Sequence, residues 1–259
     1  MNLFTQKVAL IILMVISYGV GRDLDVLKKI LVDNDLNGSI VVKKIGGADV
    51  FTNDIKSSMV QYSPASTFKI FNTLIAIDGG YVDENELFKW NGEIRAIPAW
   101  NHDQTMSTAF KSSCVWVYEQ IEKRIGIQQY ASYFKKIKYG NSGLSAIDTS
   151  FWLTGELRIS ALEQVEFLEG VVSRRFPLKK ESYEYLRSVM EESKTDEYVL
   201  FGKSGWRRDM GWYVGYLEKN GETWVFAVRL DNMPQKPERL KLRKDIALLA
   251  LKTLGVLEH

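Results

Sequence analysis

The 259-residue chain sets 34 Lys+Arg against 32 Asp+Glu, and no basic run interleaves with aromatics, which argues against nucleic acid as a partner. With 46% hydrophobic residues it can bury a sizeable core, as one large domain or two closely packed lobes, and its 5 prolines leave no obvious linker. Two histidines and the single cysteine, Cys114, are too few for the usual zinc cluster and preclude an intrachain disulfide.

The first segment reads as a targeting signal. One positive side chain lies between Met1 and Lys7, an apolar run follows from Val8 to Ile16, and Ser17-Tyr18-Gly19 offers small residues where a signal peptidase cuts. Cleavage after Gly19 would leave residues 20–259 as one domain, released to the periplasm with no membrane attachment. The apolar run is shorter than the roughly 20 residues a membrane span needs, and an uncleaved anchor is the minor alternative.

Asp25 to Val32 has helical character, and Ser39 to Lys44 with Val50 to Thr52 reads as a hairpin. A helix is expected next, entered at Ser63-Pro64-Ala65-Ser66, apolar from Ile70 to Ile77 and closed by Asp78-Gly79-Gly80. Ser113-Cys114-Val115 falls in a stretch of helical pattern, and Tyr198 to Phe201 reads as a strand ending at Lys203-Ser204-Gly205. Strands from Trp212 to Leu217 and from Thr223 to Val228 flank Asn220-Gly221, a hairpin turn whose two residues tolerate positive φ. An amphipathic helix from Arg239 to Leu254 closes the chain. Strands at both ends with helices between predict an α/β (α+β) fold. An antiparallel sheet is covered by the terminal helices, and a helical lobe is inserted from about 68 to 193.

Ser66 and Lys69 stand three residues apart, so one helical face carries both a hydroxyl and an amine. A lysine walled in by Phe68, Ile70 and Phe71 loses hydration, which lowers its pKa and turns it into a base for the serine. The spacing alone is weak, because Ser132-Tyr133-Phe134-Lys135 repeats it and either match reads equally as a helix cap with an exposed lysine. A Ser-His-Asp hydrolase would have to use His102 or His259, and no Gly-x-Ser-x-Gly elbow occurs. Neither a phosphate-binding nor a dinucleotide glycine motif is present, so no nucleotide cofactor is implied.

Ser66-Thr67-Phe68-Lys69, Ser113-Cys114-Val115, Tyr139-Gly140-Asn141, the run from Phe151 to Ser160 and Lys203-Ser204-Gly205-Trp206 follow one another in an order that resembles the class D (oxacillinase-type) serine β-lactamases. The resemblance covers nearly the whole mature chain. It implies the β-lactamase/penicillin-binding transpeptidase-like fold, with the active site in the seam between lobes, and hydrolysis of penicillin-type β-lactams through an acyl-serine at Ser66.

By the same resemblance, the backbone N–H groups of Ser66 and Trp206 form an oxyanion hole and Ser113 relays a proton to the departing nitrogen. Lys203 supplies positive potential beside Gly205. Ser204 grips the substrate carboxylate with Arg243, Arg239 being the fallback. No Glu-x-x-Leu-Asn pattern offers a water-activating base. The family instead adds carbon dioxide to the lysine equivalent to Lys69, as a carbamate. Val115, Tyr118 and Leu153 would wall its pocket and the Trp152 indole N–H would hold it. Carbon dioxide or bicarbonate is then the only cofactor expected, with no metal. A small-molecule β-lactam is the expected partner, and a homodimer is left open. Two rivals share the scaffold: a β-lactam sensor domain that is acylated without turnover, and a penicillin-binding transpeptidase, which usually carries Asn where Val115 stands.

Overall fold

The computed structural model describes residues 21–144, 150–233 and 237–258, so the signal segment through Gly19 and the terminal His259 lie outside the described residues. Among the described residues, strands from the two ends of the chain share one sheet. They are β1 (Gly21–Asp23), β2 (Asn37–Lys44) and β3 (Val50–Thr52) near the start. A two-stranded ribbon of β4 (Leu87–Phe88) and β5 (Gln104–Thr105) lies apart from the sheet. Then come β6 (Glu191–Lys194), β7 (Val199–Arg207), β8 (Met210–Lys219) and β9 (Glu222–Asp231). The order across the sheet is β1-β3-β2-β9-β8-β7-β6.

The join between the chain ends is antiparallel, with Asn37 opposite Asp231 and Lys44 opposite Trp224. Asn220 and Gly221 take φ of 53° and 78° at the β8–β9 turn, the left-handed geometry their sequence predicts. One edge departs from the expectation: β1 pairs parallel to β3, with Gly21 opposite Val50. Three residues are too few to display an alternating pattern, which is why this strand is not legible in the sequence.

Both faces of the sheet are covered. On one, Ile40, Val42, Phe226 and Val228 pack with Leu27 and Ile30 of α1 (Asp25–Asp33) and with residues from the C-terminal end, among them Ile246, Ala250 and Leu251. On the other, Val41, Val214 and Ala227 pack against the segment inserted between β3 and β6. Alternate residues point to opposite faces, and burial on both erases the polar positions, so these strands read as continuous apolar runs.

The inserted segment holds α2 (Ile55–Ser58), α3 (Phe68–Asp78), α4 (Met106–Lys111), α5 (Val115–Ile125), α6 (Ile127–Ile137), α7 (Ala161–Val172) and α8 (Lys180–Met190). With the β4–β5 ribbon it is not wholly helical. Every residue of α3 from Phe68 to Ala76 is buried, the polar Lys69, Asn72 and Thr73 among them, so this helix is enclosed all round and forms the axis of the lobe. At the C-terminus the expected single helix is broken into α9 (Pro237–Leu240) and α10 (Leu242–Thr253). There Arg243 Nε takes the Leu240 carbonyl at 2.6 Å, while the Lys244 amide drops back to Lys241 at 2.9 Å.

Candidate active site

Ser66 sits in a single 3-10 turn, Ala65–Thr67, one step ahead of α3 rather than inside it. Ala65 is held at φ 48°, a left-handed conformation that costs a non-glycine residue about 1–3 kcal/mol unless its surroundings enforce it. They do. The Thr67 hydroxyl donates to the Pro64 carbonyl at 2.7 Å and accepts from Gln164 Nε2 of α7 at 2.7 Å. Trp212 Nε1 of β8 donates to the Ser63 carbonyl at 3.0 Å, and Ser63 Oγ donates to the Trp152 carbonyl at 3.0 Å. The serine turn is thus tied to the sheet, to α7 and to the loop before α7.

Lys69 Nζ donates to Ser66 Oγ at 3.1 Å. Its side chain is fully buried, has no carboxylate partner among the described residues, and lies over the Trp152 ring at 4.3 Å and the Tyr118 ring at 4.9 Å. Burial first, and the Lys203 charge second, hold the amine well below the ordinary lysine range, so a neutral base faces the serine. Val115 and Leu153 are half-buried against the same core. Ser132 and Lys135 stand in mid-helix on α6 with Lys135 exposed, so the second Ser-x-x-Lys is helix surface.

Ser113 departs from its helical expectation. It lies between α4 and α5 with φ 59°, and the break in the helix aims its hydroxyl at β7. There Lys203 Nζ donates to Ser113 Oγ at 3.0 Å and to the Ser204 carbonyl at 3.0 Å. Burial pushes the Lys203 pKa down to about 7; Glu192 opposes the shift and Arg243 adds to it. The strand runs through Lys203-Ser204-Gly205 and on to Arg207 rather than ending at them.

Gly205 is a glycine for a visible reason. A Cβ there would stand 3.1 Å from the Pro64 carbonyl oxygen and 3.2 Å from the Thr67 amide nitrogen, so any side chain would push the strand off the serine turn. The two-residue turn Arg208-Asp209 closes on the pair Arg207 and Met210. Closing pairs exchange backbone hydrogen bonds and the next pair does not, so the Trp206 N–H points away from β8. Arg243 Nη1 donates to the Gly205 carbonyl at 2.6 Å. With Nε on Leu240 this uses two of its five N–H groups. Burial pushes its pKa down to about 10. Arg239 is exposed on α9, so Arg243 is the arginine at the strand.

Trp152 is fully buried beside Lys69, but its N–H is not turned to the amine. Nε1 donates to Glu122 Oε2 of α5 at 2.9 Å, and the ring face meets Lys69. Glu122 is the site residue that the sequence reading missed. Its signal was present: it continues the buried face of α5 through Trp116, Val117, Tyr118 and Ile121, a carboxyl group where an apolar side chain belongs.

The penicillin binding protein transpeptidase domain matches residues 41–251. β-Lactamase OXA-10 of Pseudomonas aeruginosa is 34% identical over 230 residues, covering 86% of this chain and 86% of that protein. β-Lactamase OXA-48 of Klebsiella pneumoniae is 37% identical over 207 residues, 78% of this chain and 77% of that protein. The crystal structure of a class D β-lactamase from Sebaldella termitidis superposes with a TM-score of 0.87 at 33% identity, covering 92% of this chain and 98% of that one. Likeness of this extent, in sequence and in backbone alike, shows that the chain belongs to the class D serine β-lactamases, within the penicillin-binding transpeptidase-domain family.

Proposed function

We propose that the protein hydrolyses the β-lactam amide bond of penicillin-type antibiotics through an ester on Ser66, and so confers resistance to them. The observation that carries this reading is the 3.1 Å contact between Ser66 Oγ and a buried, charge-depleted Lys69 amine. The neutral amine takes the serine proton as Oγ attacks the lactam carbonyl. The Ser66 and Trp206 N–H groups receive the developing oxyanion, a kind of contact whose loss typically costs about 2.7–4 kcal/mol. Ser113, hydrogen-bonded to Lys203, passes a proton to the departing nitrogen. Lys203, Ser204 and the unused N–H groups of Arg243 attract the substrate carboxylate.

Release of the ester needs a base for water. A neutral amine in an apolar, water-excluding pocket suits carboxylation by carbon dioxide, with Lys69 as the site, Trp152 and Tyr118 against it, and Val115 and Leu153 in the surrounding core. A carbamate there would supply an anionic base able to take a proton from the serine and later from water. We place the enzyme in the periplasm, exported by residues 1–19. The test is a turnover count with a chromogenic cephalosporin, paired with intact-mass detection of the acyl-enzyme. Many hydrolyses per enzyme, and loss of both hydrolysis and adduct in Ser66→Ala, are expected. One stalled acylation per enzyme would indicate a sensor instead, and an adduct surviving in Ser66→Ala would overturn the assignment.

A further inference from the structure

Glu122 is a carboxyl group only 5% exposed, inside the lobe, with no part in the steps above. Its Oε2 holds the Trp152 indole N–H at 2.9 Å, while the Lys69 amine lies over the same ring at 4.3 Å from its centroid. An indole has one N–H, and its hydrogen lies in the ring plane. It cannot serve Glu122 and a group standing above the ring face at once. Burial first and Glu122 second push the Tyr130 phenol up, and Tyr130 in turn donates to Asn72, one turn from Lys69 on α3, at 2.7 Å.

We propose that Glu122 is a positioning residue for the Lys69 modification: it competes with the Lys69 carbamate for the single Trp152 N–H, and thereby sets the carbon dioxide concentration at which the modified enzyme forms. The inference rests on the carboxylation reading above. In the step itself the Lys69 nitrogen lone pair forms a bond to the carbon of carbon dioxide, and one C=O π pair moves onto oxygen. An amine proton leaves to solvent, so one anion and one proton are produced. The new anion forms over the face of the same indole whose N–H Glu122 holds. To hold the carbamate, the indole must turn and give up Glu122.

Glu122→Gln keeps the shape and an acceptor oxygen but removes the charge. A hydrogen bond to a neutral acceptor is about half as strong as one to a charged acceptor, so the indole is released more readily and the bicarbonate needed for half-maximal carboxylation should fall by roughly tenfold at fixed pH. The readout is the carbamate carbon signal from 13C-bicarbonate, titrated in wild type and Glu122→Gln. In a Trp152→Phe background there is no hydrogen to compete for, and Glu122→Gln should shift the titration far less. An equal shift in both backgrounds, or none in either, overturns the proposal. A wild-type enzyme that carries a carbamate with a titration unmoved by Glu122→Gln defeats the proposal alone. No carbamate in wild type at saturating bicarbonate defeats the carboxylation reading and the proposal with it. A measurement on the unaltered protein guards against a variant that does not fold: the 15N–1H signal of Trp152 should move as bicarbonate is added, and a signal that stays fixed while the carbamate forms overturns the competition.

Discussion

Lys203 Nζ donates to Ser113 Oγ at 3.0 Å, a contact that closes 90 residues of chain and joins the inserted lobe to the sheet. Because Ser113 is held at φ 59° in the break between α4 and α5, its hydroxyl is presented without helical neighbours in the way. Ser113→Ala should slow acylation by about 10²-fold or more, the usual contribution of a positioned proton relay. Stopped-flow acylation with a chromogenic cephalosporin measures it. Ser66 should still be labelled by a fluorescent penicillin at long times, and an unchanged acylation rate would remove Ser113 from the reaction.

Lys203 also makes stability depend on pH. In the folded protein it releases its proton near pH 7, whereas in the unfolded chain it keeps it to the ordinary lysine value of 10.5. Between those limits the unfolded chain binds more protons, so stability rises with pH, by up to about 1.36 kcal/mol per unit for a single group. Lys69 is depressed too and pulls the same way. Buried tyrosines reverse the trend: Tyr118 and Tyr139 are raised above the ordinary tyrosine value of 10.0 by burial, so above that pH the folded state binds more protons. Thermal unfolding should therefore show Tm climbing from pH 7 towards 9 and falling above about 10. Lys203→Met should flatten the climb, and a wild-type Tm level over that range would contradict the shifts.

Much of this site was legible because its parts are short motifs with local meaning. Ser66 and Lys69 share a helical repeat, and Asn220-Gly221 names its own turn. Other parts were not, because their cause is tertiary. Nothing near Ser113 in sequence announces a break, since the reason for it lies on β7. The split between α9 and α10 depends on the Arg243 side chain taking a backbone carbonyl, which periodicity does not report. Trp152 reads from its motif as a donor to the Lys69 group, with a core aromatic as the plainer alternative. Only a neighbour 30 residues away, Glu122, decides where its hydrogen goes.

Tyr139-Gly140-Asn141 has no chemistry of its own, yet the structure gives it a task. Asn141 accepts from the Arg158 amide at 2.8 Å through Oδ1 and donates through Nδ2 to the Glu156 carbonyl at 2.9 Å, clamping the segment that bridges Ile159 to Tyr62. Tyr62 lies four residues before Ser66. Gly140, at φ 50°, passes so close to that segment that a Cβ would stand 2.0 Å from the Arg158 carbonyl oxygen. Gly140→Ala should destabilise the fold by about 2–4 kcal/mol, strain and displacement together, and lower kcat/KM by loosening the serine turn. Chemical denaturation and steady-state kinetics test the two effects. Stability equal to wild type would show that the clamp does not need the glycine.

Two replacements of Trp152 separate its N–H from its bulk. Trp152→Phe keeps an apolar ring over Lys69 but has no hydrogen to donate, so the 3.1 Å approach of Lys69 to Ser66 should survive and the serine should still be acylated. Without the donor a Lys69 carbamate is poorly held, and water activation suffers more than ester formation. The expected trace is a burst of roughly one product per enzyme, then a steady rate reduced by about tenfold or more. Trp152→Ala also removes the wall. Water then reaches the amine, its pKa returns towards the ordinary lysine range, and acylation falls together with release. Pre-steady-state kinetics of both variants distinguish these outcomes. If Trp152→Phe turns over at the wild-type rate while Trp152→Ala does not, the residue serves Lys69 only by excluding water, and the indole N–H belongs to Glu122 throughout the cycle.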